Sequence, residues 1–108
     1  MIVSIFAMYD KKAECYLPPF FMQSVGLAHR GVFDELHREQ SSKLWIHASD
    51  FALHVLGKFD DSTGEIESHP PMVAFEVVSV KQQVIESNYE VGNVAQFLPG
   101  TEGRDPAV

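Results

Sequence analysis

Tyr9, Lys11, Lys12, Tyr16, Phe20, Phe21 and Arg30 crowd the first part of the chain, most of them within YDKKAECYLPPFFMQS. Aromatic faces interleaved with a few cations are what single-stranded nucleic-acid binders use. A base stacked on an aromatic side chain contributes roughly 1–3 kcal/mol, and the cations follow the backbone. In this reading Lys11, Lys12 and Arg30 meet phosphates, while Tyr16 and one of Phe20 and Phe21 stack bases. The plainer reading is a hairpin turn that carries lysines because turns are wet, flanked by aromatics because sheets bury them. Residue types alone favour the plainer one.

Other chemistry finds less support. No phosphate-cradling GxxxxGK[ST], no GxGxxG, no GxSxG and no HExxH occurs. His47, Asp50 and His54 have types that iron and zinc sites use. Their segment reads as a loop turning into a strand, which scatters them, so no metal is expected. DDSTGE at 60–65 fails as a calcium loop, because Gly64 and Pro71 stand where ligands are needed. The one cysteine, Cys15, can form no intramolecular disulfide and lacks a surrounding motif. With no nucleophile, base and orienting group in view, the chain is expected not to be an enzyme and to need no cofactor.

The elements that would position these residues are legible in outline. Residues 2–9 are β-branched and aromatic and read as a strand apolar on both faces, hence central and covered on both sides. DKKAE is a polar turn, and Cys15-Tyr16-Leu17 returns as a second arm. Pro18-Pro19 stops the pairing and leaves Phe20 and Phe21 on opposite sides, one for the core and the other for a helix, a partner or a ligand. Ser24 is a candidate N-cap for a helix over 25–39, with Val25, Ala28, Val32, Phe33 and Leu36 as its buried stripe and Arg30–Asp34 as a surface pair. LWIHAS has no clear type. FALHVLGKFD alternates, placing Phe51, Leu53, Val55 and Phe59 on one face and His54, Leu56 and Lys58 on the other. DDSTG then makes a turn with Gly64 at positive φ, EIESH returns, and Pro70-Pro71 is expected to end that hairpin. MVAFEVVSV reads as a further strand, KQQVIES as strand or helix, and the Pro- and Gly-rich end as a loose tail.

The net charge of -7 is unevenly distributed. Residues 1–58 balance six basic against six acidic side chains, whereas residues 59–108 set only Lys81 and Arg104 against nine acids. An acidic chain argues against indiscriminate nucleic-acid binding, yet the neutral first part leaves room for a local site. The N-terminus has neither a basic region nor a cleavage site, and no run approaches the roughly 20 apolar residues of a membrane span. The expected compartment is the cytoplasm in which the protein is made.

Four segments also carry a family resemblance. Tyr9-Asp10-x-Lys12-Ala13, Pro19-Phe20-Phe21, Gly26-x-Ala28-x-Arg30 and Leu56-Gly57-x-Phe59-Asp60-Asp61-x-Thr63-Gly64 occur in order across residues 2–71. In these the chain resembles the small nonstructural protein of gokushovirus-type Microviridae, single-stranded DNA phages of bacteria. It departs from that pattern at Gly31-Val32 and does not match it from about Val73 onward. The resemblance implies a non-capsid factor acting in viral DNA synthesis or packaging in the host cytoplasm. Its shared positions Tyr9, Lys12, Phe20, Phe21 and Arg30 coincide with the patch reached from residue types.

The expectation is therefore an α+β domain over residues 1–92, a small antiparallel sheet built from two hairpins with one helix packed on it, followed by a tail over 93–108. Lys11, Lys12, Tyr16, Phe20, Phe21 and Arg30 are the candidate nucleic-acid-binding residues. The expected partners are single-stranded DNA and a second copy in a homodimer. The alternative is an adaptor that binds a phage or host replication protein without touching DNA.

Overall fold

A computed structural model describes residues 1–97, with side chains as far as Ser87. The chain is an α+β fold, a five-stranded antiparallel sheet with helices against one side. Strand β1 (Ile2–Asp10) lies between β4 (Phe51–Asp60) on one edge and the short β2 (Cys15–Tyr16) and β3 (Phe20–Met22) on the other. Strand β5 (Ile66–Glu76) pairs with β4 and forms the far edge. Helices α1 (Val25–Arg38), α2 (Lys43–Ile46) and α3 (Val77–Phe97), with a 3-10 turn at Ala48–Asp50, complete the order. No helix among the described residues is long and apolar enough to cross a membrane. The tail expected from residue 93 is helical as far as Phe97, and the rest of it lies outside the described residues.

The core lies on one face of the sheet. Phe6, Met8, Phe51 and Leu53 from the strands meet Ala28, Val32 and Leu36 of α1 and Val77, Val80 and Val84 of α3. Helix α1 forms where the apolar spacing and the cap required it. The Ser24 hydroxyl accepts the Leu27 N–H at 3.1 Å. Val25, expected in the stripe, is exposed at the helix start. The Arg30–Asp34 pair is replaced by an ion pair between Arg38 and Glu35. LWIHAS resolves into α2 and the 3-10 turn, with Ser42 capping α2 through the Trp45 N–H.

Two expectations fail in the second part, for separate reasons. Residues from Val77 onward are helical although rich in valine, because burial recurs at 77, 80 and 84, a helical repeat facing α1. Lys81 fixes this helix to α2, donating to the Trp45 carbonyl at 2.8 Å with its ammonium 4.7 Å from the indole ring centre. Pro70-Pro71 lies inside β5 and does not end it. β5 is an edge strand, and the pairing shifts register between Val55–Met72 and Gly57–Ser68, so the missing N–H groups break no ladder there.

The most consequential irregularity is in β4. Ile5 pairs with Gly57 but Phe6 pairs with Val55, so Leu56 is one extra residue, a β-bulge. Beyond a bulge the alternation inverts. Phe59, expected beside Phe51, Leu53 and Val55, therefore lies on the opposite face with His54, and Lys58 takes the face expected for Phe59. Gly57 is needed at this crossing, since a Cβ there would sit 2.2 Å from the Glu67 carbonyl oxygen.

Two turns of one design close the hairpins. In each, an aspartate side chain accepts a turn N–H (Asp10 from Lys12 and Ala13, Asp60 from Ser62), and a residue one or two before the returning strand has positive φ. Gly64 adopts φ 80° freely, whereas Glu14 adopts φ 57° with a side chain. The Met1 amino group donates to Asp61 Oδ1 at 2.6 Å, and chiefly through this bond its pKa lies above the ordinary value.

Gly57→Ala should destabilise the fold by about 2 kcal/mol or more in urea unfolding, since the obstruction is backbone. Gly31→Ala, in a helix interior with its nearest obstacle the Met22 Cε at 3.8 Å, should raise stability by up to about 1 kcal/mol. Equal effects at the two sites would contradict the β4–β5 register.

Candidate nucleic-acid interface

No described helix covers the second face of the sheet, so β1, expected to be covered on both sides, is covered on one. Regular β1–β2, β1–β3 and β1–β4 pairing places Tyr9, Tyr16, Ala7, Ala52 and His54 together on it, and beyond the bulge Ile5, Phe21, Gly57 and Phe59. Ile5, Ala7 and Ala52 are buried without belonging to the core cluster. Their burial is two-dimensional, small side chains lying low between larger neighbours on an open sheet.

Those neighbours form two aromatic groups. Tyr9, Tyr16 and His54 make a triangle with ring centres 4.8 to 5.4 Å apart, within which Tyr9 and His54 are nearly parallel, 18° between planes. The Tyr16 hydroxyl and His54 Nδ1 share a hydrogen bond of 2.8 Å, which fixes both rings. Farther along β1, Phe21 and Phe59 pack with centres 5.4 Å apart. Tyr16 is 39% and Phe21 50% exposed, so both groups remain open to a partner.

The candidate residues divide on this geometry. Tyr16 and Phe21 share the open face. Phe20 points to the other side, stacked on Phe6 at 5.8 Å and packed against the core, so it leaves the set. Arg30 leaves it too, because α1 lies against the opposite face of the sheet and Arg30 is on its outer surface. Lys11 stands at the end of the open face. Its ammonium bonds Glu76 at 2.6 Å and the Ser49 carbonyl at 3.3 Å. Lys12 is exposed in the β1–β2 turn. His54 and Phe59 were missed. In the sequence alone His54 stands out only as part of a metal pattern, and alternation puts Phe59 on the face of Phe51, Leu53 and Val55, because the bulge carries no residue signature.

His47, Asp50 and His54 fall on the end of α2, the 3-10 turn and β4, and no cluster of three potential metal ligands forms among the described residues. Asp60, Asp61 and Gly64 make the hairpin turn described above. Cys15 is exposed and free.

Comparison with known proteins supplies the context. The model of the family described as Phage ORF5 protein matches residues 3–82. The chain belongs to that phage family. The match covers β1 through the first turns of α3, so the bulged sheet, its open face and the helical layer are all within the family region. No curated protein matches, and no solved structure matches.

Tyr16→Phe removes one partly exposed hydrogen bond and should cost about 0.5–1 kcal/mol in urea unfolding. Lys11→Ala, breaking an ion pair roughly 40% exposed on both sides, should cost less than about 1 kcal/mol. A Tyr16→Phe protein as stable as the parent would show that the Tyr16–His54 bond does not hold the triangle.

Proposed function

We propose that this phage protein binds single-stranded DNA on the open face of its sheet, as a non-catalytic factor in viral DNA replication or packaging in the host cytoplasm. The observation that carries the reading is the pair of half-open aromatic groups, Tyr9–Tyr16–His54 and Phe21–Phe59, on one face. Stacking is tolerant of sequence, since every base has a π-face. It also suits an acidic protein, because affinity then rests on few phosphate contacts. The gokushovirus-type resemblance agrees with such a role, and a single-stranded genome supplies the ligand.

A second reading has its own observation. The open face continues onto β5 as exposed Ile66 beside Phe59 and Val73 beside His54, 65% and 58% exposed. An apolar continuation suits a protein surface, either a replication protein of phage or host or a second copy of this chain in a homodimer.

Fluorescence anisotropy of a labelled single-stranded oligonucleotide at several salt concentrations separates the two. With only Lys11 and Lys12 near the face, the log–log salt slope should be about -0.7 to -1.4, at about 0.7 per contact. Phe21→Ala and Tyr16→Ala should each weaken binding by roughly 1–3 kcal/mol, and Arg30→Ala should leave it unchanged. Absence of binding at low salt would remove the DNA reading and leave the adaptor.

A further inference from the structure

A cavity of about 550 Å³ opens at the turn end of the sheet, on the helix side, lined by Asp10, Lys12, Lys43, His47, Asp50 and Phe51. That volume is within the range of small-molecule sites. Its walls come from two segments far apart in sequence, the β1–β2 turn and the α2-to-β4 connection. Lys11 ties them together. Its N–H donates to the Asp50 carbonyl at 2.8 Å and its ammonium to the Ser49 carbonyl at 3.3 Å. The concavity is therefore preformed.

The charges on its walls are unequal in availability. Asp10 Oδ1 accepts the Lys12 and Ala13 N–H groups at 3.0 and 3.1 Å, so this carboxylate is turned toward the β1–β2 turn while keeping its charge. With Asp50 it offsets the two lysines in net charge, leaving position to decide what the cavity holds. Lys11 and Lys81 are each held, by Glu76 and by Trp45 respectively. The Lys12 and Lys43 ammoniums have no hydrogen-bond or ion-pair partner among the described residues, yet both border this one cavity, with the His47 imidazole beside them. Two free ammoniums and an imidazole around a preformed hollow match a phosphate dianion, and Asp50 stands as an acceptor for a donor-bearing group on the same ligand.

We infer that this cavity is a nucleotide-end pocket, which takes the terminal phosphate of a DNA single strand on Lys12, Lys43 and His47. The inference deepens the DNA reading. A strand lying across the open face reaches the β1–β2 turn, where Lys12 stands at the border between the face and the cavity. An internal phosphate carries one charge and is held on both sides by its chain. A terminal phosphate carries nearly two and is free to enter a hollow.

Anisotropy titrations of three internally labelled oligonucleotides of one sequence test this, with a 5′-phosphate, a 3′-phosphate or hydroxyls at both ends. One of the phosphorylated strands should bind about tenfold tighter than the hydroxyl strand. Lys43→Ala should abolish that gain without changing affinity for the hydroxyl strand, and Lys43→Arg, which keeps the charge, should retain it. Equal affinity for all three strands overturns the pocket and leaves the sheet-face reading standing. A gain that survives Lys43→Ala overturns it as well. Should no strand bind, the sheet-face reading fails and calorimetry decides the pocket, with deoxyadenosine 5′-monophosphate and deoxyadenosine as probes. Saturable heat from the monophosphate alone, lost in Lys43→Ala, supports it; no such heat overturns it.

Discussion

The pairing of β1 with β4, interrupted once at Leu56, is the constraint on which the rest of this molecule depends. Before the interruption the two strands send Phe6, Met8, Phe51 and Leu53 to one side, where α1 and α3 bury them. After it the parity reverses, and Phe59 joins Phe21 on the side without helices. Without the extra residue Phe59 would lie on the helix side, and the open face would keep only its tyrosine–histidine triangle. Gly57, the next residue, lies where a Cβ would strike the β5 backbone. One inserted residue thus divides the aromatic side chains between a core and a surface.

That division bears on how an acidic chain could meet the anionic ligand proposed for it. Net charge acts at long range and falls off over about 8 Å at physiological ionic strength, while stacking acts at contact. Several acidic residues stand at the β4–β5 hairpin end, where Asp60, Asp61, Glu65 and Glu67 lie, away from the Tyr9–Tyr16–His54 triangle at the other end of β1. Around that triangle the face is close to neutral, with Lys11 and Glu76 balancing one another beside it, whereas Phe59 of the second aromatic group adjoins the acidic hairpin end. On the proposed DNA-binding reading, contact along this face would rest on shape and stacking more than on charge.

Much of the first part was legible in the sequence because local signals there agree with one another. The β-branched run of β1, the Asp-led turn, the paired prolines, the Ser24 cap and the spacing of Ala28, Val32 and Leu36 each point to the structure that forms. The second part was less legible because its decisive features are pairwise. A bulge is a relation between two strands, and nothing in FALHVLGKFD says which residue is the extra one. Pro70-Pro71 reads as a terminus unless the strand is known to be an edge. The valines from Val77 favour a strand locally and become helical because α1 offers a groove at helical spacing. The site suffered likewise. Phe20 and Phe21 were separable by alternation, but which faced outward, and that His54 and Phe59 belonged beside the latter, depended on partners distant in sequence.

The two prolines of β5 have a bearing on how copies of this protein coexist. A bare strand edge is a template on which another chain can lay down a new strand, and a row of exposed apolar side chains such as Ile66, Met72 and Val73 would reward it. Pro70 and Pro71 carry no N–H, and because successive N–H groups of a strand point to opposite edges, one of the two removes a donor from that free edge, in the middle of its length. A strand added along β5 would find its ladder cut into two short pieces, each too brief to hold by itself. The edge is thereby poor at seeding aggregates.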